Sequence, residues 1–255
     1  EVVTYTTLPQ ETRKQEKATY TFPTLTEREI KANDKEKKKM ARQAIKPTKA
    51  KYYPIPGLKF YMQTSEVSNL EYRHFLFDLL INGNKEDFLK AKPDQNLWIN
   101  ANGTGKFDSH KDVYFSDKRF NDFPAVNITT EAAEMYCIWL KGLIADKLTG
   151  SEVRLPTETE WVYSAKGGLS GKAYPWGTDS IQNSKSRFLA NFCIQKLKDK
   201  FNQPISYPSS MKLNFNAYTS AGMALGTDTV ASVLVYAYNP NWYYLYCMSG
   251  NVSEM

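Results

Sequence analysis

Thiols, imidazoles and carboxylates are the side chains of this 255-residue chain with chemistry to offer, and their spacing decides which chemistry is open. The three cysteines, Cys137, Cys193 and Cys247, lie 56 and 54 residues apart. That separation fits neither a zinc ribbon nor a Cys-x-x-Cys redox pair. One bridge plus a free thiol, or three buried thiols, both remain open. His74 and His110 are 36 residues apart, which reads as surface or capping histidines rather than metal ligands. Asp and Ser are too plentiful for position to single out a Ser/His/Asp arrangement.

Charge is just as unevenly informative. Between Glu27 and Lys51 there are ten Lys or Arg against four acids, which is the whole of the net charge of +6. The remainder is balanced, so a broad basic face for nucleic acid is not expected. The basic character belongs to residues 1–52, read as an extended arm or linker with a charged helix near 27–45. A domain is expected over 53–255, since 42% hydrophobic and 14% aromatic residues suffice for a core. No apolar run reaches membrane-spanning length; the best, Ala231–Tyr238, is strand-sized and ends at Asn239-Pro240.

Three helices must position whatever site the domain carries. Ser68 and Glu71 form a Ser-x-x-Glu capping box, followed by Leu70, Phe75, Leu76, Leu79 and Leu80 at helical spacing until Asn82-Gly83. A second helix opens at Thr130 with Glu131 and Glu134 in its first turn. It buries Ala133, Tyr136, Cys137, Leu140, Leu143 and Ile144 and ends at Gly150. Thr157 and Glu160 make a second capping box, with Trp161 on the buried side and Gly167-Gly168 as the stop. Beyond it the sequence turns aromatic, polar and irregular.

Five segments then carry a resemblance. Arg154-Leu155-Pro156-Thr157-Glu158-Thr159-Glu160-Trp161, continued by Lys166-Gly167-Gly168 and Tyr174-Pro175-Trp176-Gly177, resembles the signature of the formylglycine-generating-enzyme (sulfatase-modifying factor) superfamily. Glu66-Val67-Ser68-Asn69-x-Glu71-Tyr72, Phe123-Pro124-Ala125-Val126-Asn127, Leu189-Ala190-Asn191-Phe192 and Gly250-Asn251-Val252-Ser253-Glu254 agree in order. Within the superfamily, Asn183-Ser184-Lys185, Pro93-Asp94-x-x-Leu97-Trp98 and Tyr238-x-Pro240-Asn241 resemble the lipoproteins of Bacteroidota gliding motility and type IX secretion. Lys196–Gly226 stands out as an insertion.

The resemblance implies an irregular α+β fold related to C-type lectins, here C-terminally incomplete. It implies that oxidase chemistry needs a close copper(I)-binding cysteine pair downstream of Gly250-Asn251-Val252, a pair this chain does not contain. Calcium is the cofactor worth weighing: one implied site uses Gly250, Val252 and Glu254, though Cys247 stands where an oxygen ligand is usual, and another uses Asn191, Phe192 and Asp228. The expected function is a non-catalytic structural or interaction component of a cell-envelope machine, on the periplasmic face of the outer membrane. Its partners would be other protein subunits, with no nucleic acid, and with the membrane reached only through a lipid anchor outside this chain. Lys37, Lys38, Lys39 and Arg42 would face acids of a partner, with Tyr5, Tyr20 and Phe22 as apolar anchors. The alternatives are a truncated copper-dependent formylglycine-generating oxidase and a lectin-like protein displaying Trp242-Tyr243-Tyr244-Tyr246.

Overall fold

The computed structural model describes residues 21–43, 51–94, 113–144, 152–185, 188–191 and 232–255. In chain order come α1 (Glu27–Gln43), the antiparallel strands β1 (Tyr52–Pro54) and β2 (Tyr61–Gln63), α2 (Asn69–Ile81), α3 (Lys85–Ala91), α4 (Thr130–Ile144) and α5 (Glu158–Lys166). A 3-10 turn at Lys118–Phe120 precedes α4. The rest of the described chain is loop, tied down by side-chain bonds to backbone. None of the described helices is long and apolar enough to cross a membrane.

Local sequence explains the helix ends. α2 and α5 both begin as reciprocal capping boxes: Ser68 N–H donates to Glu71 at 3.0 Å and Thr157 N–H to Glu160 at 2.8 Å, while each hydroxyl accepts in return. Arg154 grips both Glu160 oxygens at 2.7 Å, and this hydrogen bonding holds the Glu160 carboxyl down to about 2. Gly167 closes α5 in the left-handed region at φ 57°, where an added Cβ would press on Asn241 and the Trp242 backbone. α4 opens at Thr130 as expected and is capped by the residue before it, since Thr129 Oγ1 accepts from Ala132 N–H at 3.2 Å. The expected end of that helix at Gly150 lies outside the described residues.

Two apolar clusters form the interior. Tyr72 and Phe75 of α2, Ala91 of α3, and Ala132, Tyr136, Leu140 and Ile144 of α4 make the larger one. Phe75 meets Tyr72 and Tyr136 edge-on, the latter with centroids 5.7 Å apart, while Tyr72 and Tyr136 stack. Ile55, Ala165, Leu245 and Met248 make the smaller, with Trp161 and Tyr243 against it. The leucine stripe expected on α2 is corrected: Leu76 and Leu79 only flank the core, Leu70 and Leu80 are half-buried, and the fully buried positions are Asn69, Tyr72, Phe75 and Asp78. Asn69 is buried because its amide bridges the Tyr114 and Phe120 carbonyls, both at 3.2 Å.

A strand over Ala231–Tyr238 is not formed by the described residues 232–238, which run as turn and bend. Val235 N–H donates to the Asp122 carbonyl at 2.9 Å and Ala237 N–H to Leu234 at 2.9 Å, so this backbone is satisfied by a turn and a distant loop instead of a ladder. Ala231 itself lies outside the described residues.

The largest correction concerns the basic segment. α1 is a helix packed on the domain, not part of an extended arm or linker: Met40 and Asn33 are buried, and the helix lies on α2 and α4. Asp78 holds it there, accepting from Asn33 Nδ2 at 2.7 Å, Lys37 Nζ at 2.9 Å and Trp139 Nε1 at 2.8 Å. Lys37 thus turns inward onto its own chain, contrary to the expected partner-facing role. Lys51 likewise ends buried in an ion pair with Glu71. His74 is neither surface nor cap; its Nδ1 meets Asn33 Oδ1 and burial lowers its pKa.

Removing one partner of a buried ionic network strands the others, at about 3–5 kcal/mol. Asp78→Ala is expected to lower the urea-unfolding free energy by about that amount and to speed hydrogen exchange in α1 first. A near-neutral variant with unchanged α1 protection would show that the helix is held some other way.

Candidate functional site

Carboxylates and one thiol converge where the β2–α2 connection meets the C-terminal loop. The isolated antiparallel bridge between Ser68 and Pro124 and the Ala125 N–H to Val67 carbonyl bond at 2.8 Å anchor the connection that carries Glu66. Opposite it, the loop 247–251 is shaped by left-handed backbone at Cys247 (φ 53°), Gly250 (φ 82°) and Asn251 (φ 69°). Gly250 is required, because a side chain there would run into the Asn191 carbonyl oxygen.

Asn251 is the organiser. Its N–H donates to the Asn191 carbonyl at 2.9 Å, its Oδ1 accepts from Val233 N–H at 2.7 Å, and its Nδ2 donates to Glu66 Oε1 at 2.8 Å. Among the described residues, the other Glu66 oxygen is buried with no hydrogen-bond partner. Burial, then the nearby Glu254 charge, push the Glu66 carboxyl up to about 8, against the pull of the Asn251 bond. Glu254 is exposed as a residue, yet its carboxyl is desolvated and raised where Trp161 Nε1 donates to it at 2.8 Å. Trp161 is therefore half-buried, not fully internal, and its indole N–H has found its partner. Pro156, Trp161, Cys247, Gly250, Val252 and Glu254 line a cavity of about 370 Å³ beside this group.

The thiols are disposed for packing. Cys137 and Cys247 are free and buried. Cys137 lies on α4, its pKa raised by burial; Cys247 donates to the Val235 carbonyl at 3.6 Å and is raised further, by burial and by the Glu66 and Glu254 charges. Burial raises both thiols above the ordinary range, which disfavours the free thiolate that nucleophilic attack requires. They belong to different parts of the fold and do not fit a copper pair. Cys193 and His110 lie outside the described residues.

For a hard cation the fit is better. Two carboxyls that repel each other, one with an orphaned buried oxygen, are what a calcium ion would relieve. Of the implied ligands, Gly250, Val252 and Glu254 line the cavity, and Asn191 backs onto Gly250; Phe192 and Asp228 lie outside the described residues. Among the described residues no three His, Cys, Asp or Glu side chains cluster in a metal-holding geometry, so backbone oxygens would have to complete such a site. Glu66 was missed in the sequence reading although its motif was visible; only the fold brings it to residues 185 positions away.

Of the partner-facing residues, Lys38 and Arg42 are exposed, Lys39 pairs with Glu36 at 3.3 Å, and Phe22 packs on Phe88 with centroids 6.0 Å apart. Tyr5 and Tyr20 lie outside the described residues. The aromatic run divides: Trp242 and Tyr244 are exposed, Tyr243 packs on the smaller cluster, and Asn241 pins the turn to the Ser164 and Ala165 carbonyls at 2.8 and 3.1 Å.

The Glu66 shift fixes a pH signature. A raised folded pKa means stability is fully present below the ordinary 4.5 and is lost as pH rises toward about 8. In metal-free buffer the wild type should lose roughly 4–5 kcal/mol over that window relative to Glu66→Gln. Parallel thermal midpoints of the two proteins from acid to neutral pH would contradict the assigned environment.

Comparison with known proteins agrees with this anatomy. A family model described as a sulfatase-modifying factor enzyme 1-like domain, FGE-sulfatase, matches residues 29–255 and so includes most of α1. Over 71 residues, 28% of this chain, it is 37% identical to the inactive C-alpha-formylglycine-generating enzyme 2 of Bos taurus, covering 20% of that protein. It is 33% identical over 134 residues to the formylglycine-generating enzyme of Mus musculus, 52% of this chain and 27% of that enzyme. A 112-residue match to the formylglycine-generating enzyme of Streptomyces coelicolor is 30% identical, over 44% of this chain and 32% of the enzyme. The chain thus spans about a third or less of the curated relatives it matches. With the family model covering most of its length and the capped helices and C-terminal loop in place, the chain belongs to the FGE-sulfatase family.

Proposed function

We propose that this chain is a non-catalytic structural and interaction domain of a cell-envelope assembly, a component of a Bacteroidota secretion or gliding-motility machine. The observation that carries the non-catalytic part is that the two cysteines among the described residues, Cys137 on α4 and Cys247 in the C-terminal loop, are buried as separate free thiols and offer no close pair for copper(I). Similarity to inactive formylglycine-generating enzyme 2 supports the same reading, alongside similarity to active enzymes. The envelope setting rests on the resemblance of the segments at residues 93–98, 183–192 and 238–252 to lipoproteins of those machines. Incubated with copper(I), oxygen and a cysteine-containing sulfatase peptide, the purified chain is expected to leave the peptide mass unchanged. Conversion of the peptide would establish an oxidase and overturn the proposal.

We also infer that a calcium ion braces the Glu66–Glu254 region, held by those carboxylates with backbone oxygens of the Gly250–Val252 loop. Its role is structural: it would cancel the carboxylate repulsion and fix the loop. Calcium at about a hundred times its dissociation constant should add about 2.7 kcal/mol of stability. The thermal midpoint should rise with calcium in the wild type and stay put in Glu66→Gln. An unchanged midpoint in the wild type, or an equal rise in the variant, would refute the site.

A further inference from the structure

α1 is charged on two opposite sides for two different reasons. Asn33, Lys37 and Met40, at i, i+4 and i+7, form the side docked through Asp78. At 3.6 residues per turn the diametrically opposite line is Arg28, Lys31, Lys35, Lys38 and Arg42, spaced i, i+3, i+7, i+10 and i+14. Every position on that line is Lys or Arg, and all five are exposed. Counting acids among the described residues, only Lys31 of the five has one near it, Glu27 at 3.5 Å, and both ends of that pair stand almost fully in water. The crest runs about 21 Å.

The acids of the helix sit lower on its flanks, Glu27 and Asp34 on one side and Glu29 and Glu36 on the other. Asp34 is drawn toward the docked side by Lys37, 3.3 Å away. The positive feature is thus a narrow ridge walled by negative charge. A broad anionic surface, whether duplex nucleic acid or bilayer, would press its phosphates onto those flanks. Membrane insertion lacks its apolar face as well, because Met40 is buried against the domain. What the ridge matches is an equally narrow line of carboxylates.

We propose that the α1 crest is a docking rail for a partner protein that presents a helix with a row of Asp or Glu at heptad-like spacing. This deepens the interaction-domain reading and rests on it. The Asp78 clasp is what makes the rail effective: it holds the helix against the domain, so the five cations are aligned before the partner arrives and little ordering entropy is lost on binding. Contacts of this kind steer association and weaken with salt.

The test uses the full chain and a labelled, stapled helical peptide bearing five glutamates at i, i+3, i+7, i+10 and i+14, read by fluorescence anisotropy. A peptide of the same composition with its glutamates scattered around the helix is the control. The patterned peptide is expected to bind at least about tenfold tighter than the scattered one, with Arg28→Glu/Lys35→Glu/Arg42→Glu abolishing the difference. The milder Arg28→Gln/Lys35→Gln/Arg42→Gln, checked for an unchanged melting curve, should weaken binding by at least about threefold. Equal binding of the two peptides, indifference to both triple variants, or tighter binding to duplex DNA or phosphatidylserine vesicles than to the patterned peptide would overturn the proposal. None of these readouts involves peptide oxidation, so failure here and failure of the non-catalytic reading are told apart.

Discussion

A buried carboxylate fixes how this domain is put together. Asp78 lies between three helices and accepts one hydrogen bond from α1 through Asn33, a charged one from Lys37, and one from the Trp139 indole of α4. An unpaired charge at that depth would be intolerable, so the three donors are obligatory and their directions set the angles at which the helices meet. Apolar packing around Tyr72, Phe75 and Tyr136 supplies the cohesion, but rings of similar size tolerate sliding that a three-donor carboxylate does not.

Local chemistry was easy to read in the sequence and long-range chemistry was not. Both capping boxes, the Asn82-Gly83 and Gly167 stops and most of the α4 core stripe follow from spacing, because every group involved lies within one or two turns. Asp78 was invisible to the same method: helical periodicity counts apolar residues, and a buried acid on the inner face looks like a break in the stripe. The run of Lys in α1 misled in the same way. Its composition resembles a solvated tail, yet Lys37 serves the interior while Lys38, one residue on, stands in water. The apolar stretch before Asn239 had strand composition, but strands need a neighbour, and its amides found Asp122 and Leu234.

The site repeats the lesson at closer range. Gly250, Val252 and Glu254 were named from one motif and do share a cavity. What makes the place chemically unusual comes from elsewhere: Glu66 from the start of the domain, Trp161 from the start of α5, and Cys247 with a left-handed backbone. Two acids crowd one thiol, and each raises the proton affinity of its neighbour. Motifs that seemed to identify a fold only come together, in space, around one cavity and the Glu66 carboxyl beside it.

Asn251 has a consequence for how such a domain can change over time. Its main-chain N–H holds Asn191 and its side chain holds Val233, so one residue pins both ends of the 192–231 segment. Closing a longer excursion between two fixed posts is inexpensive, about 0.6 kcal/mol for each doubling of length. Mutation can therefore lengthen, shorten or rewrite that segment while the posts stay where they are. The asparagine acts as a buckle, fastening Asn191 through its amide and Val233 through its side chain from a single position.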